Sequence, residues 1–265
     1  MSAIAVPTAM HPPVVLTLAR LEARRLVTHP AMLVGWAMLA LMLTVGELDP
    51  GPVVAWDAIT TSTTFYPGLF CILAAHMVTT RDHRAGAADL VGSVPATREQ
   101  RVLALMLAAW APTLIALVVT IAAQQYFLWQ DTFVEVPGVA HILQGPVTVL
   151  GGCLLGIMLG VWLPQRVTPV VAMVTLIAIG VMLSASDSML FGPLVSWADW
   201  GPGNGDVWYA LEPGSPSGHV AYLLGLTGMA AAAAWWLVTT RRWLAFWLGL
   251  VCVALAAWGG VAQMP

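Results

Sequence analysis

Lysine does not occur in this chain of 265 residues; its ten basic residues are all arginine. Charge of either sign is scarce, at 9% of residues, where a soluble domain carries about 25%. A soluble fold so poor in charge could not cover its own surface. No basic block occurs, so the electrostatic footprint of a nucleic-acid binder is missing and no nucleic-acid partner is expected. Only three cysteines are present, Cys71, Cys153 and Cys252, each inside a long apolar run. They follow no metal-ligand spacing and make no paired framework, so they read as small apolar core residues. Walker A, zincin and nucleophile-elbow patterns are all missing. Neither a catalytic residue nor a resident cofactor or metal is therefore expected in this chain.

Two local constellations have a chemical look. Gly214–Gly218 reads GSPSG, with Ser215 and Ser217 beside His219. Pro216 and the flanking glycines read better as a loop entering a helix than as a nucleophile and its base. His76, Asp82 and His83 could suggest a metal site. Asp82 and His83 are neighbours and would point apart on a helix, which favours a solvated loop.

What is abundant is apolar sequence: 59% of residues are hydrophobic and the mean hydropathy is +0.84. A membrane-spanning helix needs roughly 17–25 mostly apolar residues. Seven runs qualify, at Met32–Gly46, Ile59–Val78, Val102–Ala123, Ile142–Leu163, Val167–Leu183, Val220–Val238 and Trp243–Val261. The first is short. None has an Asp, Glu, Arg or His well inside it except His76, near the end of the second. Backbone groups in lipid must be satisfied within the segment, so these runs are helices.

The connecting segments sort by charge. Arg20, Arg24, Arg25, Arg81, Arg84, Arg98, Arg101, Arg166, Arg241 and Arg242 all fall on one side of the predicted spans. Glu47, Asp49, Asp57, Asp131, Glu135, Asp187, Asp199, Asp206 and Glu212 fall on the other, with no arginine. The positive-inside rule puts the arginine side, and the N-terminus with it, in the cytoplasm of a plasma (inner) membrane protein. Trp56, Tyr66, Tyr126, Trp129, Trp197, Trp200, Trp208 and Tyr209 gather at span ends and outer segments, as interfacial anchors do. The absence of charges in mid-span argues against proton-driven transport. An intramembrane enzyme would need paired polar groups inside the spans, and none is evident.

The expected fold class is all-α, a polytopic membrane helical bundle of six to seven transmembrane helices preceded by an amphipathic interfacial helix. Residues 1–13, broken by Pro7, Pro12 and Pro13 and without a basic residue, read as a disordered lead rather than a secretory signal. Residues 14–30 form the amphipathic segment. Leu16, Ala19, Ala23, Leu26 and Val27 share one face and Thr17, Arg20, Arg24 and Thr28 the other. Such a helix lies along a membrane surface with Arg20, Arg24 and Arg25 near the lipid headgroups, and Pro30 ends it. Residues 31–265 form one transmembrane domain, with a cytoplasmic loop at 79–101 and a long outer segment at 184–219. In the cytoplasmic loop a short helix is expected over Asp82–Val91, weakened by Gly86 and broken by Gly92, Ser93 and Pro95. Thr97 then caps the next helix.

Two stretches resemble the permease subunit of the type-2 ABC exporter family. Leu21–Pro30, LEARRLVTHP, resembles that family's elbow helix. The loop after the second span carries Asp82, Arg84, Gly86, Asp89, Leu90, Ser93, Pro95 and Arg98 in an order similar to the family's coupling helix. The resemblance implies export of an amphipathic drug, peptide or lipid. Separate ABC ATPase subunits would supply the energy, with ATP and magnesium held on those partners. A second permease copy, identical or related, would complete the pathway. It also implies that Arg81, Asp82, Arg84, Gly86, Asp89, Leu90, Pro95 and Arg98 couple to the ATPase. The family's usual number of spans is six, and Trp243–Val261 is the seventh here. Two alternatives stand beside this reading: an accessory or sensory membrane protein without transport of its own, and Ser93 and Thr97 as ordinary turn and cap residues.

Overall fold

The computed structural model of the chain describes residues 12–48, 52–86, 96–132, 137–185 and 215–262, and among these the only regular element is the α-helix. Among the described residues ten helices follow in chain order: α1 Pro12–Val27, α2 Pro30–Leu48, α3 Pro52–Thr79, α4 Arg81–Arg84, α5 Arg98–Ala108, α6 Trp110–Trp129, α7 Val139–Trp162, α8 Thr168–Ala185, α9 Pro216–Val238 and α10 Arg242–Ala262. Five stretches are long and apolar enough to cross a membrane: Ala58–Thr79, Arg98–Trp129, Val139–Trp162, Pro216–Val238 and Arg242–Ala262. α1 and α2, bent by 55° at their junction, make a sixth if taken together. α8 is apolar over the shorter stretch Thr168–Ile179.

Every apolar run of the sequence has become a helix, with boundaries set by local chemistry. Pro30 does not end the amphipathic helix; it is the first residue of α2, where its missing N–H costs nothing. The break falls one step earlier. Thr28 closes α1 by bonding the Arg24 carbonyl through both its N–H (3.0 Å) and its hydroxyl (2.8 Å). His29 then caps α2, its Nδ1 accepting from the Ala31 N–H at 3.2 Å and its carbonyl from Leu33 at 3.0 Å. α3 begins at Pro52, well before the apolar run at Ile59, and Thr60, Ser62, Thr63 and Thr64 are buried within it. α5 and α6 are one 32-residue stretch interrupted at Ala109. Pro112 cannot donate to Ala108, which loosens the helix there. At about 1.5 Å per residue the pair is about 48 Å long, more than the roughly 30 Å of a hydrocarbon core, so one end must project.

The helices pack in the order α2, α3, α7, α9, α10, with α1, α5 and α6 crossing beside α3 and α7. The largest core gathers Leu26, Met32, Ala75, Val78, Val102, Leu105, Ile157 and Ala234, so α1, α2, α3, α5, α7 and α9 all meet in it. The seam between α3 and α7 is made by glycine. A Cβ on Gly152 would strike the Gly68 carbonyl, one on Gly156 the Ile72 carbonyl, and one on Gly160 would lie 2.8 Å from Thr79. Small residues four apart let two backbones touch, which is the main way helices grip one another in lipid. α9 and α10 close in the same way, Gly225 against Ala256 and Gly259 against Tyr222.

Two expected segments differ in extent. Of the helix expected over Asp82–Val91 the described part is α4, Arg81–Arg84, followed by a turn at Gly86, whose φ of 63° is open chiefly to glycine, and residues 87–91 lie outside the described residues. At the opposite end, α9 takes in Pro216–His219, so the segment assigned to residues 184–219 is shorter by those residues, and by the last residues of α8. Residues 1–11, with most of the lead read as disordered, and 186–214 lie outside the described residues.

Candidate functional site

The arginine-bearing helix ends converge on one end of the bundle, and two carboxylates organise them. The first is Glu22 of α1. The buried stripe of that helix is Val15, Ala19, Glu22 and Leu26, so Leu16, expected on the apolar face, is exposed instead. The Glu22 side chain is only 6% exposed. Arg81, the first residue of α4, grips it with both arms of its guanidinium, Nη1 to Oε2 at 2.7 Å and Nη2 to Oε1 at 2.8 Å. Arg25 adds a third bond to Oε1 at 3.0 Å. Arg81 also donates from Nε to Asp82 at 3.1 Å. Partial burial pushes the Arg81 pKa down, but the hydrogen bonds and negative charge of Glu22 and then Asp82 outweigh it and raise the pKa above its usual value. A planar fork on a carboxylate is the geometry arginine provides and lysine does not.

The second is Glu99, in the first turn of α5. Thr97 caps that helix as expected, in a reciprocal box with Gln100: Gln100 N–H to Thr97 Oγ1 at 3.1 Å, Thr97 N–H to Gln100 Oε1 at 2.9 Å. This leaves Glu99 directed at the end of α9. It accepts from Trp235 Nε1 and from the Thr239 hydroxyl, each at 2.8 Å. Thr239 Oγ1 in turn accepts from the Arg241 N–H at 3.0 Å, which fixes the turn into α10. His76 makes a third tie, its Nε2 lying 3.1 Å from the Leu163 carbonyl that ends α7.

The residues with expected coupling roles are thus partly assembled. Arg81, Asp82, Arg84 and Gly86 lie on α4 and its exit. Arg81 is committed to Glu22 within the chain, and Arg84 donates from Nη2 to the Met77 carbonyl. Arg98 stands across a cavity of about 350 Å³ from Arg81, Asp82 and His83. Arg20 and Arg24 lie on the exposed side of α1, and of the three arginines there Arg25 alone joins the Glu22 cluster. Asp89, Leu90, Ser93 and Pro95 lie outside the described residues. Glu22 was not singled out from the sequence. The available signal was an acid three residues before Arg25 on an otherwise basic helix.

A second polar set sits toward the other end, where the sequence showed no polar pairing within the spans. Thr60, Thr63, Thr120, Gln124, Gln144 and His219 are all buried. Gly145 of α7 lies against Thr63. Thr120 Oγ1, Gln124 Oε1 and Gln144 Nε2 are shielded and without a protein partner among the described residues. Ser215 is a helix cap, its hydroxyl accepting from the Gly218 N–H at 3.3 Å and lying 2.6 Å from that of Ser217. Among the described residues no three His, Cys, Asp or Glu side chains converge on a metal position. Between α3, α7, α8 and α9 lies a further cavity of about 400 Å³, walled chiefly by Phe65, Leu69, Leu155, Leu176, Leu223 and Leu226.

No known protein family, curated protein or solved structure matches the chain.

Proposed function

We propose that this chain is the membrane-spanning permease subunit of an ATP-driven exporter of the type-2 ABC class, with its arginine end and N-terminus in the cytoplasm of a plasma membrane. The observation that carries the reading is the fork between Glu22 and Arg81. An amphipathic helix lying ahead of the first span is joined by a two-point ion pair to the short helix that follows the second span. A force applied to α4 from below would reach α1 and the bundle together. That is what an energy-coupling element requires of a chain with no ATPase motif of its own.

On this reading α1 lies in the membrane interface, with Arg20 and Arg24 among headgroups and Leu16 and Leu21 in the acyl region. Arg81 serves as an internal strut. Asp82, Arg84 and Arg98, with Asp89, Leu90 and Pro95, would meet the ATPase. The apolar cavity beside α3 and α7, with Thr64, Thr148 and Thr227 as its few polar groups, suits a hydrophobic or amphipathic cargo. The broadly exposed apolar sides of α8 and α10 are free for lipid or for a second permease copy.

The test is co-purification of the tagged chain, expressed with its chromosomal neighbours, beside a variant carrying Asp82→Ala, Arg84→Ala and Asp89→Ala. An ATPase that co-purifies with the native chain and is lost from the variant supports both the permease and its docking residues. Retention by both moves the contact elsewhere. A folded chain that brings down no ATPase favours the accessory or sensory role.

A further inference from the structure

α9 and α10 touch closely along their outer halves and part toward the arginine end. A Cβ on Gly259 would strike the Tyr222 backbone, one on Gly225 the Ala256 backbone and one on Gly228 the Cys252 sulfur. On Gly249, nearer the arginine end, it would have only the Ala232 Cβ beside it, at 3.6 Å. A groove of about 260 Å³ opens there. Ala232, Ala233, Ala245 and Gly249 line it and leave the space, Trp236 and Phe246 flank it, and among the described residues no charged or hydroxyl side chain enters it. Trp236 is held at the edge by stacking on Trp162 of α7, ring centres 6.0 Å apart, and Trp162 Nε1 donates to the Ala233 carbonyl at 3.0 Å. From Ala245 to Val253 the groove runs about 12 Å along α10. Its stripe on that helix, Ala245, Phe246, Gly249 and Val253, continues back by three and four residues to Arg242. Arg242 and its neighbour Arg241 are exposed, so helix register puts a pair of cations at the groove's end. Glu99 reaches the same turn, but it accepts from Trp235 and Thr239.

We infer that this groove seats one acyl chain of an anionic phospholipid from the leaflet on the arginine side, with its phosphate on Arg241 and Arg242. A neutral lipid fills the groove and leaves the guanidinium pair unmatched. A free phosphate meets the pair and leaves the groove empty. A second copy packed by this same face about a two-fold axis sets arginine against arginine. An anionic phospholipid matches both features. Trp243 and Trp247 pack edge to face beside the arginines, ring centres 5.2 Å apart, and such indoles sit at headgroup level. The inference rests on the membrane placement in the proposed function and not on the ATPase partner.

The full-length chain is purified in detergent and equilibrated with equal amounts of phosphatidylglycerol and phosphatidylcholine carrying the same acyl chains. Retained lipid is read by native mass spectrometry. The native chain is expected to retain phosphatidylglycerol in preference. Arg241→Gln/Arg242→Gln should lose roughly thirtyfold of that preference, the share of two interfacial cations. Arg20→Gln/Arg24→Gln, which removes two exposed arginines of α1, should keep it. Gly249→Leu fills the groove, leaves every charge in place and should also lose it, which keeps the test open if the double arginine variant does not fold. An unchanged preference in the Arg241/Arg242 variant or in Gly249→Leu overturns the site, and so does an equal loss in the α1 control. Displacement of the lipid by millimolar inorganic phosphate overturns it in favour of a free-anion site. A dimer mass that Gly249→Leu abolishes overturns it in favour of a second copy. A folded chain in detergent without a lipid preference overturns this site alone; one that stays soluble without detergent overturns the membrane placement as well.

Discussion

Glu22 accepts three guanidinium hydrogen bonds while almost wholly shielded from water. Removing one partner strands a charge rather than deleting a contact, so loss of Arg81 should cost more than the pair itself contributes. The Arg81 side chain is 38% exposed, which screens the effect. We expect Arg81→Ala to lower stability by about 2 kcal/mol, and Glu22→Gln to rescue a substantial part of that loss when added to it. Thermal unfolding of the four species in detergent measures this; strictly additive losses would mean the fork holds nothing. His29 gives a pH dependence of known sign. Its burial, and next the Arg84 charge, lower its pKa below the usual 6.5, and its Nδ1 must be unprotonated to cap α2. The unfolded chain therefore binds the proton more readily. The stabilisation is complete above pH about 6.5 and is lost as pH falls through the lower folded value. His29→Asn, which caps without titrating, should flatten that part of the profile of unfolding temperature against pH. The sequence disclosed Thr97 as a cap because a cap and its partner lie three residues apart. It did not disclose Glu22, whose partner lies 59 residues away, because only packing decides which side of α1 is covered.

The glycine seam decides how elements can move. At Gly156 an added methyl meets the Ile72 backbone carbonyl, which cannot step aside without shifting α3. At Gly249 of α10 the nearest atom is the Ala232 Cβ at 3.6 Å, an ordinary contact. The same substitution should therefore have opposite signs. Gly249→Ala should be neutral or gain up to about 1 kcal/mol from helix propensity. Gly156→Ala should lose about 1–3 kcal/mol because overpacking exceeds that gain. Unfolding temperatures and elution profiles of both variants check it, and equal behaviour would mean the α3–α7 contact is loose. Helix existence was legible throughout, since long apolar runs leave the backbone no other choice. Helix starts were less so. α3 starts at Pro52, ahead of the apolar run at Ile59, because hydropathy marks the apolar part of a helix and not its start. The buried Gln124 and Gln144 escaped notice for a related reason: amides within apolar helices scarcely alter the mean hydropathy.

The described residues form an all-helical bundle with five or six helices able to span a membrane, and the charge asymmetry of the chain orients it on the proposed reading. Single cysteines at Arg166 and Arg241 should react with an impermeant maleimide only in inside-out vesicles, and one at Asp131 only from the other side. Cys71 and Cys153 are buried and Cys252 partly so, so the native thiols should stay silent. Labelling of Arg241→Cys and Asp131→Cys from the same side would undo the orientation. The number of spans was the hardest whole-molecule property to read, because α1 and α2 are chemically unlike yet only two residues apart. That junction also has a mechanical meaning. α1 is a stiff arm of about 24 Å, fastened at Glu22 to α4 and set at 55° to α2. It has the form of a bell crank: a push along one arm is delivered as a swing of the other. On the proposed reading, a pull on α4 would reach α2, at one end of the row, through this arm.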